Sequence, residues 1–136
     1  MIVKKIRQTV KAVIYSGDTI LLQLRDQKPD IFHPGVWGLF GGSVDDGEKP
    51  IDALKRELLE EIGLEIKSAK HLFNWNYYKY NSLLHFFSVP LTVEFTTLCL
   101  NEGQAMELFS IEQIKTMPIT PSLKKNLYKI NQRLFL

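Results

Sequence analysis

The chain of 136 residues has 17 lysines and arginines against 15 acids, a formal charge of +2, with 45% hydrophobic and 24% charged residues. That length holds one domain, residues 1–136, with a real core but not two. The composition excludes a disordered tail or fibrous repeat, and the small charge excess gives no reason to expect nucleic acid or a membrane as partner.

The start, "MIVKKIRQTVKAVIY", lacks an uninterrupted apolar run, and no stretch approaches the roughly 18 apolar residues of a membrane helix, so a cytoplasmic protein is expected. "QTVKAVIYSGDTILLQLRD", residues 8–26, predicts a hairpin about Ser16-Gly17-Asp18, with Val10, Ala12 and Ile14 alternating against Lys11 and Val13. "QKPDIFHPGVWG" carries two prolines and two glycines and predicts a surface loop that could face a substrate. From Pro50 the period becomes helical: Ile51, Leu54, Leu58 and Ile62 form a stripe, Pro50 suits the first turn and Gly63 the position past the end, giving a helix over about 50–62.

The aromatic and β-branched run at 64–93 predicts two or three strands turning over at "KYNS". Cys99, in "EFTTLCL", has no intrachain partner, which excludes a disulfide within the chain, and reads as a buried structural thiol in a reducing compartment. A polar loop, a short strand "MELFS" and one helical turn follow. Leu123, Leu127 and Ile130 then stand at helical spacing after a Thr120/Pro121 start.

Seven of the acids gather in "GGSVDDGEKPIDALKRELLEEIGL", residues 41–64. Glu57, Glu60 and Glu61, at i, i+3 and i+4, place three carboxylates on one helical face, read here as opposite the apolar stripe. Like charges so spaced repel by tenths of a kcal/mol per pair unless a cation sits against them. On that spacing alone a solvated acidic surface is the better reading, because exposed Glu is a good helix former. Hard divalent cations, which take oxygen ligands and bridge carboxylates to phosphates, are the functional alternative.

The whole window decides between them: Gly42, five residues, Glu48, seven residues, then Arg56-Glu57-Leu58-Leu59-Glu60-Glu61-Ile62-Gly63-Leu64. It resembles the Nudix box, G-x5-E-x7-R-E-U-x-E-E-x-G-U, at every fixed position. Trp37 to Gly42 and the late Glu102-Gly103-Gln104 extend the resemblance to MutT-type Nudix hydrolases over most of the chain. The resemblance implies an α/β/α sandwich of a mixed sheet and a smaller antiparallel sheet, with a loop-helix-loop catalytic motif. It implies Mg²⁺ or Mn²⁺ held by Glu57, Glu60, Glu61 and the Gly41 carbonyl, with Glu102 as a further ligand or base.

By the same resemblance Arg56 orients the carboxylates, while Gly42 and Glu48 support the loop. The water's proton goes to Glu57, Glu61 or Glu102, among which the sequence does not choose. Lys49 stands where many members have a helix-capping Thr. Arg25 matches a phosphate-contacting arginine or is a strand-end surface residue. Trp37 stacks on a base or packs in the core, and Thr120 occupies the place of a purine-selecting Asn. His33, His71 and His85 show no spacing for zinc or a triad and read as structural.

The expected activity is hydrolysis of a nucleoside triphosphate or nucleotide sugar, a small nucleoside diphosphate derivative being the partner, by a monomer or homodimer. The alternatives are a sensor that binds such a metabolite without cleaving it, against which the complete set of box acids speaks, and a prenyl diphosphate isomerase, for which Cys99 is poorly placed.

Overall fold

The computed structural model describes residues 5–27 and 33–135. Strands β1 (Arg7–Ser16) and β2 (Thr19–Leu24) form the expected hairpin, closed at Gly17 with φ 58°, a left-handed conformation that glycine adopts without steric cost. Residues 28–32 of the predicted loop lie outside the described residues. Its end is ordered as a short strand, β3 (Trp37–Gly38), which pairs with Gln23 and Leu24. Strand β4 (Phe40–Ser43), helix α1 (Pro50–Ile62), β5 (Lys70–Tyr77), β6 (Ser82–Pro90), β7 (Ala105–Ser110), α2 (Ile111–Ile114) and α3 (Pro121–Phe135) complete the order, with single 3₁₀ turns at Tyr78–Tyr80 and Phe95–Thr97. The aromatic run therefore makes two strands, and "KYNS" turns them over through Asn81 at φ 49°.

β1 is the centre. One edge runs parallel to β6 from Arg7 opposite Ser82 to Tyr15 opposite Pro90, and β5 pairs antiparallel beyond it. The other edge pairs with β4 along Thr9–Ala12 and with β2 at Tyr15–Ser16. β2 in turn pairs antiparallel with β3 and β7, so all seven strands form one mixed sheet, and the smaller antiparallel sheet expected beside it is instead continuous with it through the β1–β2 hairpin.

Strand alternation gives each face its own core. Val10, Ala12 and Ile14 pack with Leu21, Phe40, Leu54, Leu58 and Ile62 under α1. Val13, Ile20, Leu22 and Phe86 pack with Ile114, Leu123, Leu127 and Ile130 under α2 and α3. The layers are helix, sheet, helix. Burying one Leu or Ile side chain in such a core contributes about 1.5–3 kcal/mol. Among the described residues no helix is long and apolar enough to cross a membrane.

Cys99 is exposed, contrary to the expectation of a buried thiol. Leu98 and Leu100 pack against the α1-side core, and the residue between them faces outward.

Candidate active site

Pro50 opens α1, whose N-cap Lys49 makes no side-chain cap, and Gly63 closes it at φ 67°. A helix end leaves four carbonyls without intrahelical partners. Here all four are satisfied, and the way they are satisfied builds the site. Gly63 N donates to Leu59 O (3.0 Å), Asn101 Nδ2 to Glu60 O (2.8 Å), Asn101 N to Glu61 O (2.8 Å) and Cys99 N to Ile62 O (3.0 Å). On the other side of the same loop, Gln104 N donates to Leu24 O and its Nε2 to Arg25 O, both at 2.8 Å. Glu102 is thus held on a loop stapled between the last turn of α1 and the end of β2.

The expectation that the three glutamates share a face away from the apolar stripe holds only for Glu60, which is exposed. Glu61 is buried, and Glu57 is largely covered. At about 100° per residue, Glu61 stands only about 20° from Leu54 around the helix, within the stripe itself. It turns its carboxyl to a cleft of about 430 Å³ that Glu57, Glu102, Gly41 and Gly42 also line. A Cβ at Gly42 would come 2.4 Å from the Glu57 Cδ, and one at Gly41, where φ is 152°, would come 2.0 Å from the Val10 carbonyl oxygen. Only glycine lets α1 and β1 approach β4 this closely.

Arg56 lies over the mouth of this motif. Its Nε and one terminal nitrogen donate to the two oxygens of Glu48, the other donates to Glu57 Oε1, and a further bond reaches the Ser43 carbonyl, each at 3.0 Å. Glu60 stands 3.8 Å from the same guanidinium. The bidentate pair with Arg56 holds the Glu48 carboxyl below its usual range, and Glu48 also accepts from Asp45 N.

Burial, followed by the hydrogen bond and charge of Glu57 beside it, pushes Glu61 up to about 9, so it carries a proton at neutral pH in the metal-free protein. Its Oε2 is buried and has no hydrogen-bond partner among the described residues. Lys11 lies opposite Gly41 in the sheet and lines the cleft. Desolvation, then the charge of Arg25, pushes it down to about 8 against the opposing pull of Glu61 and Glu57. Two adjacent carboxyls, a buried oxygen left without a partner among the described residues and a backbone that only glycine can follow are the kind of oxygen-rich donor set that a hard cation suits. Among the described residues no three His, Cys, Asp or Glu side chains form a ready-made metal cage.

A family model described as NUDIX domain matches residues 5–130. The chain belongs to the NUDIX family. It is a Nudix hydrolase, an enzyme of phosphoric anhydrides, and members of this family generally use divalent metal ions. It is 29% identical over 118 residues to the CTP pyrophosphohydrolase of Escherichia coli (strain K12), a match covering 87% of this chain and 86% of that one. It is 39% identical over 85 residues to the RNA pyrophosphohydrolase of Helicobacter pylori (strain G27), which covers 60% of this chain and only 54% of that relative. The crystal structure of a MutT NUDIX hydrolase from Burkholderia pseudomallei superposes with a TM-score of 0.78 at 24% identity, over 93% of this chain and 99% of that one, and so shares the fold.

Within this Nudix domain the sequence-predicted residues separate. Glu57, Glu61, Glu102, Gly41, Gly42 and Arg25 line the cleft, whereas Glu60, Trp37 and Thr120 do not. Trp37 packs edge-on against Phe109 at 4.9 Å, its backbone bonded to Pro118 and Thr120. Thr120 is buried, its methyl 2.9 Å from where a Gly38 Cβ would stand. Lys11, not singled out in the sequence as a site residue, also lines the cleft, as does His33, which the sequence reading had left as structural. Lys11 sits between Val10 and Ala12 of one core, and its alternation with them was the clue that it faces the other side. His71 and His85 bond to Asn74 (2.7 Å) and Gln8 (2.8 Å) outside the cleft.

Proposed function

We propose that the protein hydrolyses a nucleoside diphosphate linked to another moiety, a nucleoside triphosphate or nucleotide sugar, with Mg²⁺ or Mn²⁺, by attack of water at phosphorus. The observation that carries this reading is that Glu57, Glu61 and Glu102 line one cleft with Lys11 and Arg25, the Glu61 Oε2 buried there without a hydrogen-bond partner among the described residues. Acids and cations interleaved in this way match a polyphosphate that arrives with its own counter-ion.

Glu57, Glu61, Glu102 and the Gly41 backbone would hold the metal, with the exposed Glu60 of the same helix as a further carboxylate. The metal would supply neutralisation of phosphate oxygens and activation of a water as nucleophile. Arg56 fixes the rotamers of Glu57 and Glu48, so the carboxylates do not reorganise when substrate arrives. Lys11 and Arg25 donate to phosphate oxygens, where a desolvated cation is worth far more than in water. The proton of the attacking water passes to one of the three carboxylates in the cleft.

The test is a panel of nucleoside di- and triphosphates, nucleotide sugars, ADP-ribose, dinucleoside polyphosphates and a 5′-triphosphorylated oligoribonucleotide with Mg²⁺ or Mn²⁺, read as released phosphate or diphosphate. Turnover of a small nucleotide, abolished by Lys11→Met or Glu57→Gln at unchanged melting temperature, is expected. Tight metal-independent binding of one compound with no turnover of any would overturn hydrolysis. Turnover of the oligonucleotide alone would overturn the small-molecule substrate class.

A further inference from the structure

Lys11 and the glutamates lie where β1 meets β4. Toward Arg7, which stands opposite Ser82 and through it Tyr77 in the sheet, the lining gains three rings: Tyr77 from β5, Tyr80 from the 3₁₀ turn after it and His33 from the segment before β3 stand together. These three rings come from separate parts of the chain and have no part in the chemistry just described. Tyr77 and Tyr80 lie with centroids 4.7 Å apart and planes at 84°, and His33 meets Tyr80 edge-on at 6.2 Å and 79°. Both tyrosines are half-buried. Behind Tyr77, Trp75 packs at 4.7 Å, and over Tyr80 the Lys79 ammonium stands 5.5 Å from the ring centroid, so neither ring is loosely held.

Two perpendicular rings make a corner. A flat heteroaromatic ring entering it meets the face of one tyrosine and the edge of the other, the two arrangements that the aromatic quadrupole favours. The floor between the rings and the glutamates is one face of β1, where Arg7, Thr9 and Lys11 alternate, with Ser82 and Leu84 of β6 beside them. At about 3.3 Å per residue, Arg7 and Lys11 stand about 13 Å apart along the strand, a length suited to a ribose and two phosphates. The volume of about 430 Å³ falls in the range of sites that enclose a small ligand.

We propose that Tyr77, Tyr80 and His33 form the nucleobase-binding end of the cleft. The substrate lies along β1 with its base in the tyrosine corner and its diphosphate between Lys11, Arg25 and the glutamates. Stacking on an aromatic face is tolerant of base identity, so the corner requires a base without choosing strongly among bases. This rests on the hydrolase reading and adds to it that the base, and not the sugar or the leaving moiety, provides the second anchor. A free nucleotide and the first nucleotide of an RNA 5′ end share this chemistry.

The experiment has two arms. In steady-state hydrolysis, Tyr80→Leu is expected to raise KM about ten-fold or more for a free nucleotide with kcat within about two-fold, Tyr80→Trp to restore it, and Tyr78→Leu, altering the exposed neighbour outside the cleft, to change neither. The 5′-triphosphorylated oligonucleotide run beside the free nucleotide identifies which source the corner serves. Wild-type KM in both Tyr80→Leu and Tyr77→Leu overturns the assignment while leaving hydrolysis intact.

The second arm stands if the enzyme turns over nothing or the leucine variants do not fold. Wild-type protein without metal is titrated with AMP, CMP and ribose 5-phosphate, following intrinsic fluorescence. Binding of the nucleotides about ten-fold or more tighter than the sugar phosphate is expected, and equal affinity overturns the proposal.

Discussion

Glu61 is the residue at which stability and function conflict. A carboxyl buried among apolar neighbours beside a second carboxyl, with one oxygen unpartnered, is costly unless a cation joins it. The direction of the pH dependence follows from its shift from 4.5 up to about 9 in the metal-free protein. Because the folded state holds the proton more tightly than the unfolded chain, this contribution is fully present below the lower value and is lost progressively as pH rises toward the upper one. Glu61→Gln, which keeps shape and hydrogen bonding but cannot ionise, is therefore expected to melt close to wild type near pH 4.5. At about pH 8, with chelator present, it should melt a few degrees higher, and its activity should be lower by orders of magnitude. Thermal melts at the two pH values check this. A variant less stable than wild type at the higher pH would contradict the assigned environment.

At the scale of elements, the site is where α1 meets β4, and two adjacent glycines separate fold from function there. A side chain at Gly42 would strike the flexible end of Glu57, which can swing away, whereas one at Gly41 would strike the Val10 backbone, which cannot move without parting β1 from β4. Gly42→Ala is expected to fold with nearly the wild-type melting temperature and lose about 100-fold or more in kcat/KM, because displacing a reacting group by about 1 Å costs that much. Gly41→Ala is expected to lose the fold's stability first, by several kcal/mol, read by chemical denaturation.

The bounds of α1 were legible because Pro50 and Gly63 act locally at its two ends, and the box residues were legible because their spacing is fixed. The inward turn of Glu61 was obscured by reading i, i+3 and i+4 as a single face when its angle to Leu54 placed it in the stripe. The loop holding Glu102 was not legible either. Its position depends on Asn101 and Gln104 reaching carbonyls about 40 and 80 residues away in sequence, and local patterning carries no information about such partners. The tyrosine corner escaped for the same reason, since in the sequence Tyr77 and Tyr80 were two members of an aromatic run that otherwise reads as strand.

Across the whole molecule, a single strand supplies both cores: Val10, Ala12 and Ile14 point into one, and Val13 into the other. Neither core can be lost while β1 stays paired on both edges, so the domain should unfold in one cooperative step. Leu58→Ala on α1 and Ile130→Ala on α3 each remove a fully buried side chain, from opposite layers, and each is expected to cost about 2–5 kcal/mol within one transition seen alike by calorimetry and circular dichroism. Their effects on activity should differ. Leu58 is next to Glu57 and one turn from Glu61 on the helix that carries both, so repacking around the cavity left by Leu58→Ala shifts the carboxylates and lowers the specific activity of the folded fraction. Ile130 sits in the α3-side core, away from the glutamates, and its loss should leave the folded fraction fully active. Two separated transitions would show that β1 does not couple the layers, and equal losses of specific activity would show that the site is held by global packing and not by α1.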